Sequence, residues 1–108
     1  MTVKGFSELD SINPLVLAEP DREIEGVYIG DLLSWVMGNA ASGDAWITIM
    51  SNINILAVAS LSDVSCIVLA EGVTVEEDVI ATAKDKGVNI VSSELSAFET
   101  AILLSHFI

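Results

Sequence analysis

The sequence predicts an α/β fold: a small, mostly parallel sheet of roughly four or five strands with flanking helices. Three observations carry this expectation. From Ala45 onward, short β-rich apolar runs alternate with stretches whose apolar residues recur at helical spacing. The links between them are short, which suits right-handed crossovers between neighbouring parallel strands. Finally, Ser65-Cys-Ile-Val-Leu69 is apolar almost throughout, the composition of a strand covered on both faces.

Taken in order, residues 5–12 read as a short helix with Ser7 as N-cap and Asn13-Pro14 as its stop. Leu15 to Ala18 follows as a strand, and Glu19 to Gly26 as a charged connection. Val27 to Ile29 is strand-like and runs into a helix start at Gly30-Asp31, where Asp31 suits both an N-cap and the helix dipole. Met37-Gly38 ends that helix, Asn39 to Asp44 is a turn, Ala45 to Met50 a strand, and Ser51-Asn52 cap an apolar helix over Ile53 to Leu61. After the strand at Ser65–Leu69 and the turn at Glu71-Gly72, Thr74-Val-Glu-Glu77 has the spacing of a capping box. The helix it opens directs Val75, Val79, Ile80 and Ala83 to the core, and Gly87 ends it. Val88 to Val91 is the last strand. Ser92 or Ser93 then caps a helix whose Leu95, Phe98, Ile102 and Leu103 share a face.

A chain of 108 residues is expected to form one domain, residues 1–108. Hydrophobic residues make up 52% and the mean hydropathy is +0.62, more than so small a domain readily hides. Self-association, with a dimer favoured, is the economical expectation. Sixteen acidic and four basic residues give a formal charge of −12. Nucleic acid and anionic membrane surfaces both require clustered Lys and Arg, so neither is an expected partner. The charge-free run Ala45–Ser62 divides into strand, turn and helix rather than one membrane span. Cys66 is the only cysteine and sits in an apolar strand; the N-terminus lacks a signal h-region, and a cytoplasmic location is expected.

The motifs for catalysis fail one by one. Gly38-Asn-Ala-Ala-Ser-Gly43 has the glycine spacing of a P-loop, but Asp44 and Ala45 stand where Lys and Ser/Thr are needed. Its helix-to-strand order is also reversed. His106 has no partner at ligand spacing, and Glu76-Glu77-Asp78 belongs in the first turn of a helix, where acids are stabilising. No enzyme activity, cofactor or metal is therefore expected.

Two candidate surfaces remain. Ligands of parallel sheets bind beyond the carboxyl ends of the strands, beside helix N-termini. The segments placed there carry Ser51, Asn52, Asn54, Glu71, Gly72, Ser92 and Ser93, neutral or hydrogen-bonding groups that fit a small polar ligand such as a nucleotide or metabolite. The other surface is the helix through Leu32, Leu33, Trp35, Val36 and Met37, in which only Ser34 is polar. A helix apolar nearly all round needs covering on more than one side, so it is the expected oligomer interface.

The whole pattern resembles the DRTGG domain family. The resemblance is carried by Asp21-Arg-Glu-Ile-Glu-Gly26, Tyr28-Ile-Gly-Asp-Leu-Leu-Ser-Trp35, Ala45-Trp-Ile-Thr-Ile49, Ala57-Val-Ala-Ser60, Ala70-Glu-Gly72 and Leu95-Ser-Ala-Phe-Glu99. It implies a fold similar to the N-terminal domain of HPr kinase/phosphorylase. It also implies a regulatory or dimer-forming module, acting on a partner protein, without the P-loop kinase domain. The family's Thr-Gly-Gly is replaced here by Glu23-Ile24-Glu25-Gly26, and the two carboxylates beside Arg22 argue against an anion site in that turn.

Overall fold

The most apolar runs of the sequence become the middle of a five-stranded sheet. The computed structural model describes residues 1–108. In chain order the elements are α1 (Val3–Ser7), β1 (Ile12–Val16), β2 (Gly26–Ile29), α2 (Leu33–Asn39), β3 (Asp44–Thr48), α3 (Asn54–Ser62), β4 (Cys66–Leu69), α4 (Glu77–Lys86), β5 (Ile90–Ser93) and α5 (Ala97–Ser105). The strand order is β1-β5-β4-β3-β2; β2 to β5 are parallel, and β1 runs antiparallel to β5. The expected α/β class with a mostly parallel sheet is the one observed.

Side-chain alternation along the strands divides the core in two. On one face Trp46, Ile67, Leu69 and Ile90 pack with Val36 of α2, Ile55, Leu56 and Ala59 of α3, and Val79 and Ala83 of α4. On the other, Ala45, Ile47, Cys66, Val68 and Val91 pack with Val3 and Phe6 of α1 and Leu104 of α5. Each parallel crossover steps to the next strand in the same direction, so α2, α3 and α4 share one layer. The order never reverses among the parallel strands, and the crevice that a reversal opens for ligands is missing.

Several boundaries differ from the sequence reading, each for a local reason. The first helix starts at Val3, because Thr2 Oγ1 accepts from Gly5 N at 3.0 Å; Ser7 is buried and donates to Lys4 O instead. Asn13-Pro14 lies inside β1, where Pro14 is tolerated because the strand is at the sheet edge and its register shifts there. Asp31 does not cap α2: its Oδ1 accepts from Thr48 Oγ1 at 2.7 Å and Ile49 N at 3.0 Å, tying the β2–α2 turn to the end of β3.

The Thr74–Glu77 capping box does not form, and α4 begins at Glu77. Val73 and Val75 are partly buried while Thr74 and Glu76 are exposed, the alternation of extended chain. Packing of the two valines against the core outweighs the local cap. At the other end Gly87 takes φ 73°, as the sequence requires of a helix-ending glycine. The last helix is capped by Ser96 and Glu99 in a reciprocal box, not by Ser92 or Ser93.

The face of α5 is also corrected. Thr100 and Leu104 turn inward, while Phe98 and Ile102 are exposed. Thr100 is tolerated inside because it donates to Ser96 O at 2.7 Å and accepts from Ser93 Oγ at 2.8 Å. No helix is long and apolar enough to cross a membrane.

Candidate functional site

The carboxyl ends of the parallel strands hold all seven predicted ligand residues, but the structure uses several of them to tie its own turns. Asn52 Oδ1 accepts from Asn54 N at 3.0 Å, closing the turn into α3 beside partly exposed Ser51. Glu71 and Gly72 both have positive φ, 60° and 70°. Their backbone N–H groups donate to Leu95 O and Ser93 O at 2.8 and 2.7 Å, which brings this turn against the one after β5. Ser92 and Ser93 are buried; Ser92 Oγ donates to Val73 O at 3.0 Å, and Ser93 is engaged with Thr100 and Leu95 N. Burial removes both serines from direct ligand contact. The stretch Glu71–Gly72 and the Asn52–Asn54 turn stay exposed.

A polar cleft lies at the opposite end of the sheet, and the sequence reading missed it. It has a volume of about 190 Å³ between the β1–β2 connection, the C-terminus of α3 and the α4–β5 turn. Arg22 spans its wall, donating from Nη1 to Asp63 Oδ1 at 3.1 Å and from Nη2 to Asp63 O at 2.8 Å. Asp63 adopts the left-handed conformation (φ 55°) as the cap of α3, and its carboxylate also accepts from Ser42 Oγ. The hydrogen bond from Ser42, then that from Arg22, then the guanidinium charge hold the Asp63 carboxyl below its ordinary range.

Glu19, Asp63, Arg22 and Lys86 all line this cleft, so its lining is charge-balanced. Asn89 closes the floor: its amide bonds both Glu19 N and Glu19 O at 2.8 Å and Ser65 O at 3.0 Å. A shallow groove beside it is lined by Lys84, Asp85 and Lys86. Three of the chain's four basic residues, Arg22, Lys84 and Lys86, thus gather at one end of the sheet. The available signal was Arg22, the only arginine of an acidic chain. The lysines are equally accounted for by the negative pole of the α4 C-terminus.

The third feature is apolar. Leu32, at the N-cap of α2, and Trp35 in its first turn are 59% and 65% exposed, and Met37 is 51% exposed on the other flank. Leu33 is partly buried. Val36 is corrected: it is fully buried in the core, because one stripe of α2 must cover β2 and β3. Ile29, Ile49 and Ile53, at or just beyond the carboxyl ends of β2 and β3, are also about half exposed.

Cys66 offers no nucleophile. It is fully buried, and desolvation pushes its thiol up to about 12 despite the contact from Ser65 Oγ. His106 caps the C-terminus of α5 and is exposed. No three His, Cys, Asp or Glu side chains are grouped to hold a metal.

Fold and site together define a small three-layer α/β module whose polar side chains mainly secure its turns and whose outer apolar side chains are unpaired. The chain belongs to the DRTGG domain family, whose sequence model matches residues 16–107. No curated protein matches it. Among solved structures it is similar to the CBS and DRTGG domains of the regulatory region of Clostridium perfringens pyrophosphatase, crystallised with the activator diadenosine tetraphosphate. The TM-score is 0.69 at 18% identity, over 95% of this chain and 48% of that one, so this chain spans about half of that structure.

Proposed function

We propose that this domain is a non-catalytic regulatory module that assembles as a homodimer through α2 and acts with a partner protein. The observation that carries the reading is Trp35, 65% exposed beside Leu32 on a helix bordered by no charge between Asp31 and Asp44. Exposed tryptophans of this kind are typical anchors of interfaces. Leu32, Met37, Ile29, Ile49 and Ile53 are likewise about half exposed. Two copies each carrying −12 repel one another, and an uncharged helix is where they can approach.

The test is analytical ultracentrifugation across the micromolar range. A dimer is expected, tightening as salt screens the repulsion, and Trp35→Asp should yield folded monomers. A strict monomer at every concentration and salt level refutes the assembly.

A second reading is a small-ligand sensor, supported by the exposed polar turns at Asn52–Asn54 and Glu71–Gly72 and by the nucleotide activator of the C. perfringens protein. Diadenosine tetraphosphate and adenine mononucleotides should then raise the melting temperature, an effect lost in Asn52→Trp. The absence of a shift with all of them counts against this reading.

A further inference from the structure

We propose that Asp31 is the positioning residue of the α2 surface: it ties together the two chain segments that build this surface, and so governs self-association. The inference rests on the α2 reading and names the residue that sets its geometry. Ile29, Leu32 and Trp35 come from β2 and the start of α2, whereas Ile49 and Ile53 follow β3. A surface made of two segments fits a partner without an ordering cost only if the segments keep a fixed relation beforehand.

The entrance to α2 is where that relation is decided. The helix has seven residues, too few to persist without tertiary support, and Val36 is its one buried residue. Its exit is secured separately: Ser42 Oγ donates to the Asp63 carboxylate, and Ala41 N donates to Asp44 Oδ2 at 2.9 Å. On the entrance side the sheet ladder ends where Gly30 N donates to Ile47 O, with Trp46 Nε1 donating to Gly30 O at 2.9 Å. Beyond that point the tie passes to Asp31. Its Oδ1 accepts from Thr48 Oγ1 and from Ile49 N, and Thr48 Oγ1 accepts in turn from Met50 N at 3.1 Å. Asp31 immediately precedes Leu32, and Ile49 is itself one of the exposed residues, so a single carboxylate oxygen joins the two halves. The helix is left without a side-chain cap as a result.

The charge of Asp31 acts in the opposite sense. Each copy carries −12, and an exposed carboxylate at the margin of the surface repels an approaching copy. Removing the side chain therefore weakens association if Asp31 positions the surface, and strengthens it if Asp31 is only a surface charge.

Sedimentation across the micromolar range on wild type, Asp31→Ala, Asp31→Asn, Thr48→Val and Asn89→Ala tests this, with circular dichroism checking that each is folded. Asp31→Ala should raise the dimer dissociation constant roughly tenfold, the scale of one lost hydrogen bond to a charged group. Asp31→Asn keeps an acceptor oxygen in place and drops the charge, so it should associate at least as tightly as wild type. Thr48→Val removes one of the two donors and should raise the constant roughly threefold, and it carries the test if Asp31→Ala does not fold. Asn89→Ala lowers stability at the far end of the sheet and should leave the constant unchanged. Amide exchange at Ile49 should accelerate in Asp31→Ala and stay slow in Asp31→Asn. If wild type dimerises and Asp31→Ala matches or exceeds it, the positioning role is overturned while the α2 reading stands. Equal weakening by Asp31→Asn, or by Asn89→Ala, overturns it in the same way. A wild type that is monomeric at every concentration removes the α2 reading, and this role with it.

Discussion

Replacing Asn89 by Asp tests the amino-terminal end of the sheet with a change of one atom. Asn89 is 3% exposed. Its Oδ1 accepts from Glu19 N, while its Nδ2 donates to Glu19 O and Ser65 O, joining the β1–β2 connection to the β4 and β5 ends. An aspartate keeps the shape and the acceptor but turns a carboxylate oxygen toward two carbonyls. Two donated hydrogen bonds are lost at about 1 kcal/mol each, and leaving buried Ser65 O unpaired beside a desolvated charge adds roughly 1–3 kcal/mol. The expected cost at neutral pH is about 3–5 kcal/mol, a fall in melting temperature on the order of 15–20 °C for a domain of this size.

The pH dependence is the sharper readout. Burial and the facing carbonyls favour the protonated acid, so the introduced carboxyl has a folded pKa above its unfolded one. Its proton restores a donor, and that stabilisation is fully present below the unfolded carboxylate range and lost as pH rises to the folded value. Urea melts followed by circular dichroism between about pH 5.5 and about pH 8 stay clear of the isoelectric point near 4.1. The deficit of Asn89→Asp should grow with pH, while that of Asn89→Ala should be flat. A deficit below about 1 kcal/mol at neutral pH, or one equal at both ends, refutes the account of the amide as a buried clamp.

Two further outcomes follow from the same structure. Cys66 should resist iodoacetamide in the native state and react once urea unfolds the chain, since the thiol is buried and held protonated; rapid native labelling refutes its core position. Ser42→Ala removes the leading cause of the depressed Asp63 carboxyl. A depressed folded pKa stabilises above the ordinary carboxylate range and ceases to do so as pH falls through the folded value. The variant should be less stable at neutral pH, by under about 1 kcal/mol because solvent screens this exposed site, and equal to wild type in strong acid. Urea midpoints at the two pH values check this.

Much of the fold was legible because strand runs such as Cys66–Leu69 are apolar enough to need burial on both faces. Gly87 was legible as a helix end because only local backbone conformation decides it. Caps were misassigned wherever tertiary packing competed with a local motif. Val73 and Val75 pull the chain extended past Thr74, and Asp31 bonds the end of β3 rather than its own helix. The amino-end cleft was illegible for a different reason. Arg22 and Asp63 are 41 residues apart, and no spacing rule relates them.

The sequence by itself determined the class of fold, the net charge and the excess of apolar residues. These depend on composition and on short-range periodicity. Which apolar residues form the core, and which are left outside, was decided only by tertiary structure. Val36 turned in while Leu32 and Trp35 stayed out, and Thr100 took the inward position on α5 while Phe98 did not. A short helix with apolar residues on several faces offers more than one inward stripe. The sheet it packs on, and the hydrogen bonds available beneath it, select among them.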